Sequence, residues 1–199
     1  MIDVFIDWSR DAATFDPSAA VARLADDALL GGIAERFTCA LPSGRIGPAL
    51  TGRRPWRFPA TTSIEACTLA MVAAADAERP LLIVIGAIEP SAEPLGVLLE
   101  ALDSDPMIGF AVPRLGNARG DGIARLDVGG DRQIDELPRR ILAEIPDTYI
   151  VADAPARCLL IKPSVLANFG GLDDRFLTLD AALWHYAGQA RRCGFRTLV

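Results

Sequence analysis

The sequence predicts an α/β fold in which a mostly parallel central sheet has helices on both faces. Apolar strand candidates alternate with helix candidates along the chain, which is the order that builds β-α-β units. Residues 81–88 form an unbroken apolar run rich in Ile and Val, typical of a strand buried on both faces. The chain also begins with one complete β-α-β pattern, which favours a parallel sheet.

That first unit opens with an apolar strand candidate at residues 2–6. Asp16 and Pro17 suit the N-cap and the first position of a helix over about 18–30. A second strand is predicted at 36–41. Two strands joined through one helix favour parallel pairing.

The later elements continue the alternation. We predict strands at 56–58, 81–88, 108–112 and 158–161, and helices at 62–77, 95–102, 163–169 and 180–193, with a helical turn at 137–143. Prolines and glycines fill residues 42–60, and glycines recur through 116–131. A connection as long as 42–60 inside a compact domain is more often functional than idle. The 199 residues suit one domain.

The charge balance bears on the partners. The net charge is −6, Lys162 is the only lysine, and the arginines are scattered. Because phosphate backbones are bound by clustered positive charge, nucleic acid is disfavoured as a partner. The chain begins with acids where a signal peptide has basic residues, and its longest apolar run is too short to span a bilayer. A cytoplasmic protein without a transmembrane segment is expected.

The cysteines point to the same compartment. Cys39, Cys67, Cys158 and Cys193 form no C-x-x-C pair, and their neighbours are apolar. A disulfide or zinc framework would show closer or more regular spacing. We therefore expect four buried free thiols.

The second half of the chain contains three recognisable motifs. A buried strand ends in IGAIEP at 85–90, the pattern D-P-x-I-G-x-x-x-P occupies 105–113, and GGLDDRF occupies 170–176. In these motifs the chain resembles a family 2 glycosyltransferase, a class built on the GT-A nucleotide-sugar fold. The resemblance covers roughly residues 60–199, and residues 1–45 match by topology.

The resemblance implies one GT-A-like domain over 1–199, with a nucleotide-binding half at 1–80 and an acceptor-side half at 81–199. Such enzymes move a sugar from a nucleotide-sugar donor to a hydroxyl acceptor, a glycan or another alcohol. A hexosyltransferase-type activity is therefore expected. The oligomeric state, the sugar and the acceptor are not readable from the sequence.

The resemblance also assigns the acceptor side. It implies an acceptor loop that contains Gly170, Gly171, Asp173 and Asp174. Where the family has an acidic pair whose aspartate deprotonates the acceptor, this chain has Asp180 as the one available carboxylate. Asp180 also suits the N-cap of the last helix, and both roles stay open.

On the donor side, the resemblance places Asp7, Trp8, Ser43 and Glu89 around the nucleotide. Asp7 is expected to accept a hydrogen bond from a uracil-type base, and Trp8 to stack on the base. The alternative for Trp8 is a half-buried residue at the rim of the site. The alternative for Glu89 is a solvated turn residue beside Pro90.

The metal site of the family is altered in this chain. The buried strand of GT-A enzymes ends in two carboxylates that hold Mg²⁺ or Mn²⁺ at the diphosphate. Alignment on Glu89-Pro90 puts Ile85 and Ala87 at those positions. Hydrocarbon side chains cannot bind a metal ion, so no metal and no cofactor is predicted, and Mg²⁺ or Mn²⁺ is disfavoured. The alternative is a shifted turn, in which Glu89, the nearest carboxylate, substitutes as a ligand.

Three functions are compatible with these observations. The first is a glycosyltransferase, metal-independent if Ile85 and Ala87 occupy the ligand positions. The second is a non-catalytic GT-A-like binding module that has lost its metal-binding carboxylates. The third, a Rossmann-type dinucleotide binder, is disfavoured because no G-x-G-x-x-G follows the first strand.

Overall fold

The structure is a computed structural model that describes residues 1–9, 16–26, 32–42, 56–86, 92–113, 150–151 and 158–198. Its strands are β1 (Ile2–Asp7), β2 (Ala34–Ala40), β3 (Trp56–Arg57), β4 (Leu81–Ile85), β5 (Ile108–Ala111), β6 (Ile150–Val151), β7 (Cys158–Ile161) and β8 (Arg196–Leu198). Its helices are α1 (Pro17–Asp26), α2 (Ser63–Asp76), α3 (Ala92–Asp103), α4 (Pro163–Phe169) and α5 (Leu179–Arg192).

Within those ranges, eight strands form one mixed sheet in the order β3-β2-β1-β4-β7-β5-β8-β6. Strands β3, β2, β1 and β4 are parallel to one another, and so are β5 and β8. Strand β7 runs antiparallel between β4 and β5, and β6 runs antiparallel to β8. The predicted α/β fold with a mostly parallel sheet is confirmed, and its antiparallel strands lie beyond β4.

Helices cover both faces of this sheet, as predicted. On one face, α1 and α3 pack through Val21, Leu24, Leu95 and Leu102 against alternate residues of the strands. On the other face, α2, α4 and α5 bury a second apolar cluster that includes Phe5, Ile83 and Phe110. Because successive strand residues point to opposite faces, β1 and β4 contribute to both clusters, and β4 is a continuous apolar run.

The order of the strands creates a switch point between β1 and β4. From β1 the chain passes outward to β2 and then β3, whereas β4 joins the opposite side of β1. Asp7 is paired with Ala40 on one side and with Ile85 on the other. We call the end of the sheet at Asp7 and Ile85 the carboxyl edge. In open α/β sheets, ligands bind beyond this edge at the switch point.

The opposite end, which we call the amino edge, contains a buried ion network. The Asp3 carboxylate lies 3.1 Å from Arg79 Nη1 and 3.5 Å from Arg36 Nη1. Asp3 is 2% exposed. Burial raises the pKa of Asp3, although the two guanidinium groups act in the opposite direction.

Several predicted elements change at their ends. The final helix begins at Leu179 with Thr178 as its N-cap, so the prediction of Asp180 as the cap is wrong. Strands β6 and β8 were not predicted. The glycine-rich segment 116–131 and the turn at 137–143 lie outside the described residues, as does most of 42–60.

The cysteines follow the expectation at three positions. Cys39, Cys67 and Cys158 are free and buried, and burial raises the pKa of each thiol, that of Cys158 to about 11. Cys193 is free but exposed, which corrects the prediction of four buried thiols. It is the C-cap residue of α5, and this position lies at the surface.

Candidate functional site

The candidate site lies at the carboxyl edge, where the backbone of Asp7 is held from both sides. The Gly86 N–H donates to Asp7 O at 2.8 Å, and the Trp8 N–H donates to Ala40 O at 2.9 Å. These bonds extend the parallel ladder one residue past each strand. They fix the point at which the Asp7 side chain leaves the sheet.

The Asp7 carboxylate is buried, and its two oxygens differ. Oδ1 accepts from the Ser9 N–H at 2.9 Å and lies 3.1 Å from the Ser63 hydroxyl. Oδ2 is buried and has no hydrogen-bond partner within the part of the chain that the structure describes. A buried acceptor left unsatisfied costs about 1–3 kcal/mol, and more when it is charged. Asp3 Oδ2 also has no hydrogen-bond partner among the described residues, but it lies 3.5 Å from Arg36 Nη1. The unsatisfied oxygen of Asp7, together with its position at the switch point, makes this carboxylate a candidate ligand-binding group.

The N-terminus of α2 lies against this carboxylate. Thr62 is the N-cap, and a capping box joins it to Glu65: the Glu65 N–H donates to Thr62 Oγ1 at 3.3 Å, and the Thr62 N–H donates to Glu65 Oε2 at 3.1 Å. The T-x-x-E spacing dictates this start, because both side chains satisfy free N–H groups. A helix N-terminus also favours a nearby negative charge.

Ser63, the first residue of α2, links Asp7 to Ser9. Its hydroxyl lies 3.1 Å from Asp7 Oδ1 and 2.7 Å from Ser9 Oγ. A hydroxyl has one proton to donate, and a carboxylate oxygen only accepts. When Ser63 donates to Asp7, the short contact to Ser9 is therefore made by the Ser9 hydroxyl donating to Ser63.

Trp8 does not occupy the predicted rim. Its ring is 2% exposed and belongs to the apolar cluster beneath α1 and α3. The indole is thus part of the core on that face. Stacking on a nucleobase would require the ring to leave this packing.

Ile85, the last residue of β4, offers no ligand atom to a divalent ion. Ile85 is 8% exposed and packs in the cluster beneath α2, so it offers only a hydrocarbon side chain. Across the ranges that the structure describes, no three His, Cys, Asp or Glu side chains are grouped to hold a metal. Ala87 and Glu89 lie outside these ranges.

The predicted acceptor loop packs on α2. The Leu172 N–H donates to Thr68 Oγ1 at 3.1 Å. A Cβ on Gly171 would overlap Thr68 Cγ2, so only glycine permits this approach. Gly170 has φ +67°, a conformation that also favours glycine. The two glycines therefore let the chain leave α4 and turn against α2.

An ion pair shapes the next part of the loop. Arg175 Nε lies 2.9 Å from Asp173 Oδ1, Arg175 Nη2 lies 2.6 Å from Oδ2, and the Arg175 N–H also donates to Oδ1 at 3.0 Å. These bonds lower the pKa of Asp173 to about 2. Asp174, the other predicted acid of the loop, is exposed.

Asp180 lies in the first turn of α5, half-buried, two residues after the cap. The Thr178 hydroxyl accepts from the Ala181 N–H at 3.3 Å, so Thr178 is the N-cap residue that was predicted to be Asp180. The chain direction locates this turn. Strand β8 begins beside the start of β5, at the amino edge. Helix α5 ends just before β8, so its C-terminal end lies near the amino edge and its first turn lies towards the carboxyl edge.

The structure thus brings some predicted residues together and not others. Asp7 lies at the switch point, and the acceptor loop contacts the helix that begins there. The convergence of these groups with Asp180 in one cleft stays a prediction. Ser43 and Glu89 lie outside the described residues.

Two residues of the site, Ser9 and Ser63, were missed. The signal for Ser63 was available in the sequence: it follows the cap of a helix that begins after a parallel strand, and such helices begin at the carboxyl edge. Ser9 lies two residues after Asp7, the spacing of an Asx turn.

No protein-family model matches the chain, and no curated protein matches it. None of the helices in the described ranges is both long and apolar enough to cross a membrane.

Proposed function

We propose that the chain is a GT-A-type glycosyltransferase domain that binds a nucleotide sugar at the switch point and transfers the sugar to a hydroxyl acceptor. One observation carries the proposal. The buried carboxylate of Asp7, which has one oxygen without a hydrogen-bond partner among the described residues, lies at the carboxyl edge. The N-terminal end of α5, which contains Asp180, lies towards the same edge. The segment 170–176 that resembles an acceptor loop packs on the helix whose first residue contacts Asp7.

The proposed reaction is a single in-line displacement. The acceptor oxygen attacks the anomeric carbon of the donor, and the bond from that carbon to the nucleoside diphosphate breaks. The acceptor proton passes to the Asp180 carboxylate, which acts as general base. The nucleoside diphosphate departs with the electron pair of the broken bond.

The proposed donor site works without a divalent ion. Ile85 offers no ligand atom and is packed in the core. The same observation favours a second candidate, a binding module of the same fold that keeps the nucleotide site and has lost transfer. Both candidates bind the nucleotide sugar, but only the glycosyltransferase transfers the sugar to an acceptor.

Isothermal titration calorimetry with UDP, GDP and dTDP sugars, each with Mn²⁺ and with EDTA, tests the proposal. We expect one class of donor to bind with an affinity that Mn²⁺ changes less than about twofold. A parallel assay for release of the nucleoside diphosphate separates transferase from binding module. Absence of binding by every donor would overturn both, and binding that requires Mn²⁺ would overturn the metal-independent site.

A further inference from the structure

We propose that two copies of this chain associate through the amino edge of the sheet, at the place where β5 and β8 begin. The surface there has an acidic side at the end of α3 and a basic side at the end of α5. A two-fold axis brings the acidic side of each copy against the basic side of the other. This association is independent of the proposed function, because the proposed nucleotide site lies at the carboxyl edge.

The acidic side is the last turn of α3, where Glu100 and Asp103 are exposed and no basic residue occurs. Carboxylates are unfavourable at this position, because the helix dipole is negative at its C-terminal end. Lys162 Nζ donates to Leu102 O at 2.9 Å and to Asp105 O at 3.0 Å, so this cation meets carbonyl groups. Neither Glu100 nor Asp103 forms an ion pair among the described residues. A cation from a second copy would compensate both acids.

The basic side comprises the C-terminal end of α5 and the start of β8. Arg192 and Arg196 are exposed there, and Arg191 adds a third exposed guanidinium group. Within the part of the chain that the structure describes, Arg192 and Arg196 form no ion pair. A guanidinium group can bind a carboxylate through two parallel hydrogen bonds, which is the pairing that the acidic side offers.

The two sides meet at Met107, whose side chain is 40% exposed. The Arg196 N–H donates to Met107 O at 2.8 Å, and the Met107 N–H donates to Asp105 Oδ1 at 2.7 Å. A Cβ on Gly194 would lie 2.9 Å from Met107 Cε, so the methionine side chain lies against this glycine. An exposed apolar residue between an acidic and a basic side matches the apolar centre and polar rim of protein interfaces.

The placement of the two sides fixes the symmetry of the pair. Helices α3 and α5 pack on opposite faces of the sheet, so the acids lie on one face and the arginines on the other. A two-fold axis that runs along the edge, in the plane of the sheet, exchanges these faces. It places Asp103 of each copy towards Arg196 of the other, and the same contact forms twice. The net charge of −6 repels two copies, so the attraction depends on these local pairs.

The experiment is sedimentation velocity over a series of protein concentrations, with Asp103→Arg, Arg196→Glu and an equimolar mixture of the two variants. The wild type should show a monomer–dimer equilibrium that weakens between about 50 and about 500 mM NaCl, because salt screens exposed ion pairs. Each variant alone should associate at least about tenfold more weakly, because like charges then face each other across the axis. The mixture should form a heterodimer, in which both contacts again join opposite charges. Asp76→Arg, the same reversal in the last turn of α2, should keep the wild-type equilibrium.

The mixture separates a specific contact from damage to the fold, because a misfolded variant would not regain association when it meets the other. A wild type that stays monomeric at both salt concentrations would overturn the proposal. Association that strengthens with salt, or single variants that associate as the wild type does, would also overturn it. So would a mixture that contains monomers alone. None of these results bears on nucleotide binding, which is measured separately.

Discussion

Asp3 and Asp7 are two buried carboxylates on the same strand, and their surroundings give them different roles. Asp3 at the amino edge is bound by two arginines, so its charge is compensated within the protein. Asp7 at the carboxyl edge meets two neutral donors. Oδ2 of each aspartate has no hydrogen-bond partner among the described residues, but Oδ2 of Asp3 lies 3.5 Å from Arg36 Nη1. A structural role explains the first carboxylate, whereas the second lies at the edge where we propose that the nucleotide sugar binds.

Substitutions of Asp180 and Thr178 separate the role of general base from the role of helix N-cap. Asp180→Asn should lower the rate of transfer about 10²–10⁴-fold, because it removes the proposed proton acceptor. Its effect on stability should stay below about 1 kcal/mol, the scale of a charge in the first helical turn. Steady-state kinetics and urea denaturation measure the two effects.

Thr178→Ala is the matched control for Asp180→Asn. It removes the hydroxyl that accepts from the Ala181 N–H and should cost about 1 kcal/mol of stability while the folded protein keeps its transfer rate. Full activity of Asp180→Asn would assign the base to another group or favour the binding module.

Asp173 should make stability depend on acid pH. Hydrogen bonds from Arg175 hold its folded pKa at about 2, below the ordinary value of 3.8. A depressed pKa means that the contribution to stability is present above pH 3.8 and is lost as pH falls through about 2. Asp173→Asn should therefore flatten the pH dependence of the melting temperature in that window.

Asp174→Asn is the control variant for the pH experiment. Asp174 is exposed, and the ion pair of the loop joins Asp173 to Arg175. Melting curves of Asp174→Asn should follow the wild type through the same window. If the melting temperature of Asp173→Asn depended on pH as steeply as that of the wild type, the ion pair of the loop would not be formed in solution.

At the scale of elements, the loop between α4 and α5 depends on its contact with α2. Gly171→Ala should destabilise the protein by about 1–3 kcal/mol, because the added methyl group overlaps the Thr68 side chain. Gly188→Ala makes the same chemical change inside α5, where nothing lies within 4 Å, and should be stabilising by up to about 1 kcal/mol. Chemical denaturation compares the two variants.

Equal effects of the two glycine substitutions would contradict the close packing of the loop on α2. Loss of transfer in folded Gly171→Ala, with donor affinity retained, would further link this loop to the acceptor.

The sequence predicted the elements whose signals are local. Strand β4 was recognised by its apolar run, and β1 by a shorter apolar run that Asp3 interrupts. Helices α2 and α4 were predicted at 62–77 and 163–169, close to their observed bounds. Strands β6 and β8 have two and three residues, too few for a periodic pattern. Strand β8 forms by pairing with β5 and β6, and β6 by pairing with β8. Thr178 was overlooked as a cap because Asp180, two residues later, has an equally suitable side chain.

The site could be predicted only in part for a related reason. Asp7 and the acceptor loop were both predicted from the family resemblance, Asp7 from its place after the first strand and the loop from the GGLDDRF motif at 170–176. Contacts such as that of Ser63 with Ser9 join residues 54 positions apart, and no local pattern encodes them. The burial of Trp8 likewise depends on α1 and α3, which cover that face.

At the scale of the whole molecule, the two edges of the sheet should respond independently to substitution. Arg79→Ala removes the shorter of the two ion pairs of Asp3 and leaves Arg36 as its remaining partner. We expect a loss of roughly 2 kcal/mol, the cost of a buried charged group that loses a hydrogen bond. The affinity of the folded protein for its proposed nucleotide sugar should not change, because the proposed site lies at the opposite edge.

Arg36→Ala is the second variant of this experiment. Arg36 lies farther from Asp3 than Arg79 does, so its removal should lower the stability of the protein by less. Thermal melts and calorimetry on both variants check the pair. A change in nucleotide affinity that matches the loss in stability would show that the edges are coupled through β1.

The exposure of Cys193 has a practical consequence. The other three cysteine thiols are buried, so a maleimide dye or spin label should attach to the native protein at Cys193 alone. That position caps the end of α5 near the amino edge, far along the helix from Asp180. A reporter there can follow movement of α5 during ligand binding without any engineered cysteine.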